Sequence, residues 1–395
     1  MHWSKQLRRP RFRFRTIAAL AVTSALGVGA CVSVRSPGPE GGNVPVVRGS
    51  YKNGRDQTVR IALATAAPES AGVARAKEPV VVRPEGNSPF VLWNGKRYRG
   101  ELIITPTDSG LMVVNRLPMD EYLRGVVPLE IGNRTAAEFA AVQAQAVAAR
   151  TYAYKHLNDT RGFDMYSTVQ DQVYGGVDAE KPQSDSAIVT TRDVVVLYAG
   201  QPITTPYHST CGGSTAAVSE VWYDQPDQPY LRPVSDRIPG TEHYYCDPSP
   251  RFSWTQDFDG AGLRAVMEKY LAAYTKAPKA GVGRITDVRE QGRTPSGRMA
   301  ALLVQTDSGA YTLRGNDIRF VLRDPKGAIL NSTYFSFTRE TSGGEVSALT
   351  VNGRGYGHGI GMCQWGAIGR ARAGQNFRTI LETYYPGTTV GRIAG

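Results

Sequence analysis

The spacing of apolar residues changes along the first half of the chain, from short strand-like runs to a long helical period. Apolar runs between residues 58 and 114 are separated by turn residues, and Asn94-Gly95 among them is typical of a hairpin. From Ala136 to about Lys155 there is no Gly or Pro, and apolar residues recur every three or four positions. Thr135 as N-cap, with Glu138 three residues later, predicts where this helix begins.

The second half alternates between further strand and helix patterns. Strands are predicted at 194–198, 203–207, 285–290, 299–306, 309–314 and 334–340, and helices at 260–274 and 316–322. We therefore expect an α+β fold of mixed strands and helices with a small N-terminal β region. The expected divisions are a leader at 1–31, a flexible linker at 32–55, the β region at 56–118 and the main domain at 119–390.

The leader has the pattern of an export signal. Six basic residues precede Thr16–Ala30, an apolar stretch too short to anchor stably across a bilayer. It ends in Val28-Gly29-Ala30-Cys31, and small residues before a cysteine resemble a lipoprotein cleavage site. This predicts an exported protein of the cell envelope, held in the periplasm or at the outer face of the membrane by a lipid on Cys31. Cleavage by an ordinary signal peptidase, with Cys31 incidental, remains the alternative.

The leader also accounts for much of the positive charge. The chain carries +11 at pH 7, and removal of the six basic residues of the leader leaves +5. A mature protein that is only mildly basic gives no reason to expect a nucleic-acid partner. Residues 32–55 are rich in Pro, Gly, Ser and Val, which is typical of a tether.

Glu130 is the most unusual charged residue of the central stretch. It lies between the apolar run Gly125–Leu129 and a glycine, and the nearest basic residue in sequence is Arg134. A carboxyl group at the edge of an apolar segment loses hydration, which raises its pKa toward the range that a general acid needs. The alternative is an ordinary solvated glutamate in a loop.

Three segments have distinctive sequences: Val-Val-Pro-Leu-Glu at 126–130, Ala-Gln-Ala-Val-Ala-Ala-Arg-Thr-Tyr at 144–152, and the glycine-rich Gly353–Ala367. Together they resemble the SpoIID/LytB family, the stage II sporulation proteins D and amidase enhancers of bacterial cell walls. Ile131-Gly132 stands where the family usually has Met-Pro, and Gln143 replaces a lysine. The resemblance implies that Glu130 is the catalytic acid of a lytic transglycosylase.

The resemblance also suggests residues for substrate binding, namely Gln145, Arg150, Tyr174, His358 and Gln364. Tyr174 belongs to a Gln-Val-Tyr-Gly-Gly segment and could stack on a sugar, with a buried turn tyrosine as the alternative. Alternating glycines around His358 leave a backbone with little bulk, suited to a floor beneath a polymeric ligand. For His358 itself the alternative is a core histidine bonded to backbone.

Two His-x-x-Cys units, His208/Cys211 and His243/Cys246, suggest a structural crosslink. In an exported protein the ordinary expectation is a Cys211–Cys246 disulfide. A tetrahedral zinc site made by all four residues is the other interpretation, and some members of the family hold a zinc nearby. Cys363 is expected to be a free buried thiol. No further cofactor is required.

The resemblance leads to two hypotheses for function. The first is a lytic transglycosylase that cleaves peptidoglycan glycan strands with a single glutamate and leaves 1,6-anhydro-muramoyl ends. The second is a protein without catalysis that binds peptidoglycan and enhances a cell-wall amidase. A zinc amidase is disfavoured, because no His/Glu cluster with an open metal position appears outside the two His-x-x-Cys units. The expected partners are glycan strands, an amidase for the second hypothesis, and the membrane through Cys31.

Overall fold

The computed structural model of the protein describes residues 45–47, 51–67, 78–158 and 160–394. The predicted leader, with Cys31, lies outside the described residues, as do residues 32–44 of the predicted linker.

The strands of the described chain are short to medium in length: β1 (Val46–Val47), β2 (Thr58–Ala67), β3 (Val80–Val82), β4 (Val91–Trp93), β5 (Lys96–Tyr98), β6 (Glu101–Thr107), β7 (Gly110–Pro118), β8 (Met165–Tyr166), β9 (Val194–Tyr198), β10 (Gln201–Pro202), β11 (Tyr207–His208), β12 (Ser253–Asp259), β13 (Ile285–Glu290), β14 (Ala301–Thr306), β15 (Gly309–Arg314), β16 (Phe335–Ser342), β17 (Glu345–Arg354), β18 (Met362–Cys363) and β19 (Thr389–Ile393). The helices are α1 (Met119–Ile131), α2 (Phe139–Lys155), α3 (Pro182–Thr190), α4 (Val218–Val221), α5 (Gly260–Tyr270), α6 (Asp317–Val321), α7 (Gln364–Arg372) and α8 (Phe377–Tyr384). This mixture confirms the α+β prediction.

The alanine-rich helix α2 is the centre of the main core. It packs against α1, α3, α7, α8 and β9, and its small side chains let these neighbours approach closely. The predicted capping box is present, because the Glu138 carboxylate accepts a hydrogen bond from the Thr135 N–H at 2.8 Å. One difference is that residues 136–138 form a 3₁₀ turn before the α-helix proper.

The predicted small N-terminal β region is confirmed, and its strands pack on the same core as α2. They make a five-stranded sheet in the order β3-β6-β7-β2-β8, and β4 and β5 form the Asn94-Gly95 hairpin. Strand β7 runs directly into α1, and Val59 and Leu117 belong to the same apolar cluster as Ala146 of α2. The hairpin prediction is confirmed, with positive φ at both turn residues, 51° and 74°.

The end of the predicted linker is also part of the fold. Strand β1 pairs in parallel with β19 at the edge of a four-stranded sheet, β1-β19-β9-β10. The Tyr154 hydroxyl donates to the Lys52 carbonyl at 2.7 Å, and the Gly54 N–H donates to Asp193 at 2.8 Å. The interpretation of 32–55 as a flexible linker is therefore wrong for residues 45–47 and 51–55, because backbone pairing and burial hold them.

An insert at residues 253–354 has its own apolar core. It contains the sheets β12-β17-β16 and β13-β14-β15 together with α5 and α6. Phe258, Leu263, Met267, Val288 and Val304 are buried within it. After the insert the chain returns to the main core through β18, which pairs in parallel with β11. This short pairing places Tyr207-His208 beside Met362-Cys363.

In the described ranges, every helix is too short or too polar to cross a bilayer.

Arg150, predicted to bind substrate, lies inside the main core and has no exposed surface. Its guanidinium donates to the carbonyls of Thr191 at 2.8 Å and Ile188 at 3.1 Å, where helix α3 ends. It also lies 3.7 Å from the Asp120 carboxylate. The substrate-binding prediction is therefore wrong, because every direction around the guanidinium is taken by protein; Arg150 joins α2 to the end of α3.

We expect Arg150→Ala to lower the free energy of unfolding by about 3–5 kcal/mol, because it leaves buried carbonyls and a carboxylate without their partner. Arg124→Ala is the matched control, since its ion pair with Asp185 is partly exposed and is worth about 0–1 kcal/mol. Urea unfolding of both variants measures the difference. Equal stability of Arg150→Ala and the wild type would contradict this role.

Candidate functional site

Glu130 lies in the last turn of α1. The apolar run that precedes it is helical as far as Ile131, and Gly132, with φ of 73°, ends the helix. The residue is partly buried, so it keeps some contact with solvent. The Oε1 atom accepts a hydrogen bond from the Val173 N–H at 3.0 Å, and the Tyr207 hydroxyl also bonds the carboxyl. The loop after α2 and strand β11 therefore both meet the end of α1 at this carboxyl.

Burial raises the pKa of Glu130 above its usual range, although the hydrogen bonds from Val173 and Tyr207 act in the opposite direction. Among the described residues, no lysine or arginine contributes to this shift. The carboxyl is thus partly desolvated, has no cationic partner, and is held by two donors that can also support its charged form. That combination suits a group that must both give and accept a proton.

A chain of polar side chains fixes the Tyr207 hydroxyl. Tyr122 of α1 donates to the Gln172 side-chain oxygen at 3.0 Å, and the Gln172 amide donates to the Tyr207 hydroxyl at 2.9 Å. Since Tyr207 accepts from Gln172, its own proton is directed to the Glu130 carboxyl. This chain of hydrogen bonds fixes the orientation of the Gln172 amide and of the Tyr207 hydroxyl.

Asp171 is a second carboxylate near these side chains, and its charge helps to raise the pKa of Tyr122 and of Tyr152. One of its oxygens accepts from the Tyr152 hydroxyl at 2.9 Å, and the other accepts from the Tyr166 N–H at 2.8 Å. Both oxygens are therefore engaged by protein donors. Within the part of the chain that the structure describes, Glu130 is the carboxyl of this site left for chemistry, which differs from the paired carboxyls of most glycoside hydrolases.

His358 is part of the site through its contacts with backbone. The Ile360 N–H donates to Nδ1 at 3.0 Å, so Nε2 carries the proton and donates to the Tyr207 carbonyl at 2.9 Å. Burial, followed by the neighbouring charges of His208 and Arg319, holds the pKa of His358 well below its usual range. His358 is therefore a neutral positioning residue that holds Tyr207.

The glycine-rich loop around His358 packs closely against neighbouring segments. A Cβ on Gly361 would lie 2.1 Å from the Pro206 carbonyl oxygen, and one on Gly359 would lie 2.6 Å from the guanidinium of Arg298. Both residues have positive φ, at 70° and 91°. Protein atoms therefore occupy the space that the missing side chains leave, and the glycines let the loop pack against the segment that carries Tyr207. A floor beneath a ligand stays a prediction.

Three other predicted substrate-binding residues are buried. Gln145 has no exposed surface, and its oxygen accepts from the Gln364 amide at 3.1 Å, which joins α2 to α7. Tyr174 packs against Gly125 and donates to the Asn115 side chain at 2.8 Å. Direct sugar contact by Gln145, Gln364 and Tyr174 is therefore wrong for this structure, because the protein surrounds each side chain. For Tyr174 the alternative of a buried turn residue is the right one.

The three described cysteines lie together with one carboxylate. The donor atoms of Cys211, Asp236, Cys246 and Cys363 all lie within 4.8 Å of one another, and all four residues are buried. We call this group the thiol cluster. His243, in contrast, is 78% exposed and pairs with Asp247, and the ring nitrogen Nδ1 of His208 lies 3.2 Å from the Ile360 carbonyl. The predicted four-residue zinc set is wrong at His243, because the fold puts that side chain at the surface, while Asp236 and Cys363 lie beside Cys211 and Cys246. His208 is buried next to Cys211 and interacts with its thiol.

The geometry of the thiol cluster fits a tetrahedral metal. The sulfurs of Cys211 and Cys246 are 3.5 Å apart, well beyond the disulfide length of about 2.05 Å, and all three cysteines are free. Zinc–sulfur bonds of about 2.3 Å place tetrahedral donors roughly 3.8 Å apart. Backbone N–H groups of Cys211 and Gly366 donate to the Cys363 sulfur at 3.1 and 3.2 Å, which fixes the position of that sulfur.

Sequence reasoning missed the residues that hold Glu130. Gln172 was seen only as part of a turn motif, and Tyr207 only as the end of a strand. They are 35 positions apart, and no periodic pattern marks a bond between them. The one signal was the family-like segment around Gln172, which points to a role without showing its partner.

Comparison with known proteins places these residues in a family context. A profile described as stage II sporulation protein matches residues 107–198, and one described as a domain of unknown function matches residues 240–361. An uncharacterised protein of Brachyspira hyodysenteriae is 31% identical over 80% of this chain and 77% of its own length. The amidase enhancer of Bacillus subtilis is 32% identical over 68% of this chain but only 40% of its own length. Stage II sporulation protein D of Bacillus subtilis is 28% identical over 70% of this chain and 75% of its own length.

The raised pKa of Glu130 has a consequence for stability. A carboxyl whose pKa is higher in the folded state favours folding at low pH and loses that contribution as pH rises through the folded value. Glutamine cannot ionise, so Glu130→Gln avoids this loss. We therefore expect the melting temperature of Glu130→Gln minus that of the wild type to increase as pH rises from about 4 to 7. Glu121→Gln on the same helix is the control. A gap that shrinks as pH rises would contradict the burial of this carboxyl.

Proposed function

Because the chain belongs to the family of stage II sporulation protein D and the amidase enhancers, we propose that it is a lytic transglycosylase acting on peptidoglycan glycan strands. Family membership gives the protein a role at the bacterial cell wall. The observation that supports transglycosylase activity is Glu130, a partly exposed residue whose carboxyl has a raised pKa, two hydrogen-bond donors and no cationic partner among the described residues.

One carboxyl is sufficient for this reaction. Glu130 donates its proton to the glycosidic oxygen as the bond from that oxygen to C1 of the muramoyl unit breaks. The resulting carboxylate then accepts the proton of the C6 hydroxyl, whose oxygen bonds to C1 and closes the 1,6-anhydro ring. No water is consumed, and Glu130 ends protonated as it began. Val173 and Tyr207 stabilise the carboxylate between the two proton transfers.

Glu130→Gln should reduce glycan cleavage by about 10²–10⁴-fold, because one acid–base group supplies that factor. Purified sacculi are digested with each protein, and mass spectrometry counts the anhydro-muramoyl ends. Glu121→Gln, also in α1, is the matched control and should retain activity. Undiminished release of anhydro ends by Glu130→Gln would overturn the proposal.

The second candidate function is enhancement of a cell-wall amidase, and the relationship to the Bacillus subtilis amidase enhancer supports it. That similarity covers 40% of the relative's length, so an activity of the whole relative is a proposal for this chain. Under this alternative, Glu130→Gln would stimulate an added amidase on sacculi as well as the wild type does, and neither protein alone would release anhydro ends.

We also propose that the mature protein is exported and anchored in the envelope by a lipid on Cys31, as the leader pattern suggests. The mass of the mature N-terminal residue distinguishes a lipid-modified cysteine from cleavage elsewhere.

For the thiol cluster we propose a structural zinc held by Cys211, Cys246, Cys363 and Asp236. The Asp236 oxygen that does not face the thiols accepts from Tyr384 at 2.6 Å and Arg370 at 3.3 Å, which fixes the carboxylate. Four protein donors leave no open position, so the metal would contribute to folding and not to catalysis. It would join the segment after β11 to the start of α7.

The purified protein should contain one equivalent of zinc, and Cys363→Ser should lose most of it because a thiolate is removed. His243→Ala is the control and should keep its zinc, since that side chain lies outside the thiol cluster. Metal is measured by mass spectrometry of the native protein. A protein without zinc that carries a Cys211–Cys246 disulfide would overturn the zinc proposal.

A further inference from the structure

An exposed pair of aromatic side chains lies next to His358. Trp222 is 37% exposed and Tyr223 is 44% exposed, at the end of helix α4. The centroid of the Trp222 ring is 5.6 Å from that of His358, and the two planes are inclined by 34°. His358 donates to the carbonyl of Tyr207, and the Tyr207 hydroxyl bonds Glu130. Trp222 is therefore linked to the proposed acid through His358 and Tyr207.

The backbone beneath Trp222 is held from both sides. Its N–H donates to the Val218 carbonyl at 2.8 Å, and the Asn316 N–H donates to the Val221 carbonyl at 2.8 Å. A Cβ on Gly315 would lie 2.3 Å from that same Val221 oxygen, so only glycine fits there. The insert therefore holds the backbone of the turn that carries Trp222 through these contacts.

Tyr223 adds a polar edge to this surface. Its hydroxyl donates to the Asp317 carboxylate at 3.2 Å, at the start of helix α6. An apolar indole beside a hydroxyl and a carboxylate matches a pyranose, whose axial C–H groups make an apolar face and whose hydroxyls lie at the rim. Leu129, directly before Glu130 on α1, is a further exposed apolar side chain.

We propose that Trp222 and Tyr223 form a stacking platform for a sugar unit of the glycan strand, away from the linkage that Glu130 cleaves. The occupant is one N-acetylated pyranose of the same strand, because Trp222 contacts His358, which holds the residue, Tyr207, that bonds Glu130. This inference rests on the proposed function for its ligand. The turn after α4 would then hold the glycan strand so that the cleaved linkage lies at Glu130.

Binding is measured with the inactive Glu130→Gln protein, so that the strand is not consumed. The double variant Glu130→Gln/Trp222→Ala should bind purified glycan strands about three- to tenfold more weakly, which is the effect of losing one aromatic contact. Glu130→Gln/Trp222→Phe keeps a ring and should retain most of the affinity. Glu130→Gln/Tyr198→Ala is the matched control, since Tyr198 of β9 is also 37% exposed.

We expect affinity for glycan strands to fall in the Trp222→Ala double variant, to be largely retained in the Trp222→Phe double variant, and to be unchanged in the Tyr198→Ala control. With Glu130 intact, Trp222→Ala should raise KM for glycan strands by a larger factor than it lowers kcat. Equal binding by the alanine double variant and Glu130→Gln would overturn the platform, as would an equal loss in the Tyr198 control. The acid role is tested separately by cleavage with Glu130→Gln alone, so the two failures are distinguishable.

Discussion

The partial burial of one carboxyl, opposed by two hydrogen-bond donors, is the interaction on which the proposed chemistry depends. Burial raises the pKa of Glu130, while Val173 and Tyr207 favour its charged form. Were burial to act alone, the group would hold its proton too tightly to act as a base in the second step. Were the donors to dominate, it would be ionised before it could act as an acid.

Much of the architecture exists to hold the second donor in place. Tyr207 is oriented at its hydroxyl by Gln172 and at its carbonyl by His358. The glycine-rich loop reaches it only because glycine removes the side chains that would collide, and the same loop touches Arg298 of the insert. The insert therefore supports the site in two places: Arg298 packs against this loop, and Gly315 and Asn316 contact the backbone of the turn that carries Trp222.

The sequence predicted local structure better than it predicted the roles of individual side chains. The long helix, its capping box and the hairpin at Asn94-Gly95 follow from short-range rules and were confirmed. The raised pKa expected for Glu130 agrees with its burial at the end of a helix. Arg150 and Gln145 were misassigned, because polar residues in a motif can bond the core as readily as a ligand. The cluster of Cys363 with Cys211 depends on the pairing of β11 with β18, which no local pattern reveals.

The most direct measurement is an NMR titration of the Glu130 carboxyl in protein labelled at glutamate carboxyl carbons, assigned by its disappearance in Glu130→Gln. The account predicts a pKa above that of an ordinary glutamate, and a still higher value in Tyr207→Phe, which removes a donor that lowers it. A Glu130 that titrates at or below the ordinary value, and does not respond to Tyr207→Phe, would contradict the central claim.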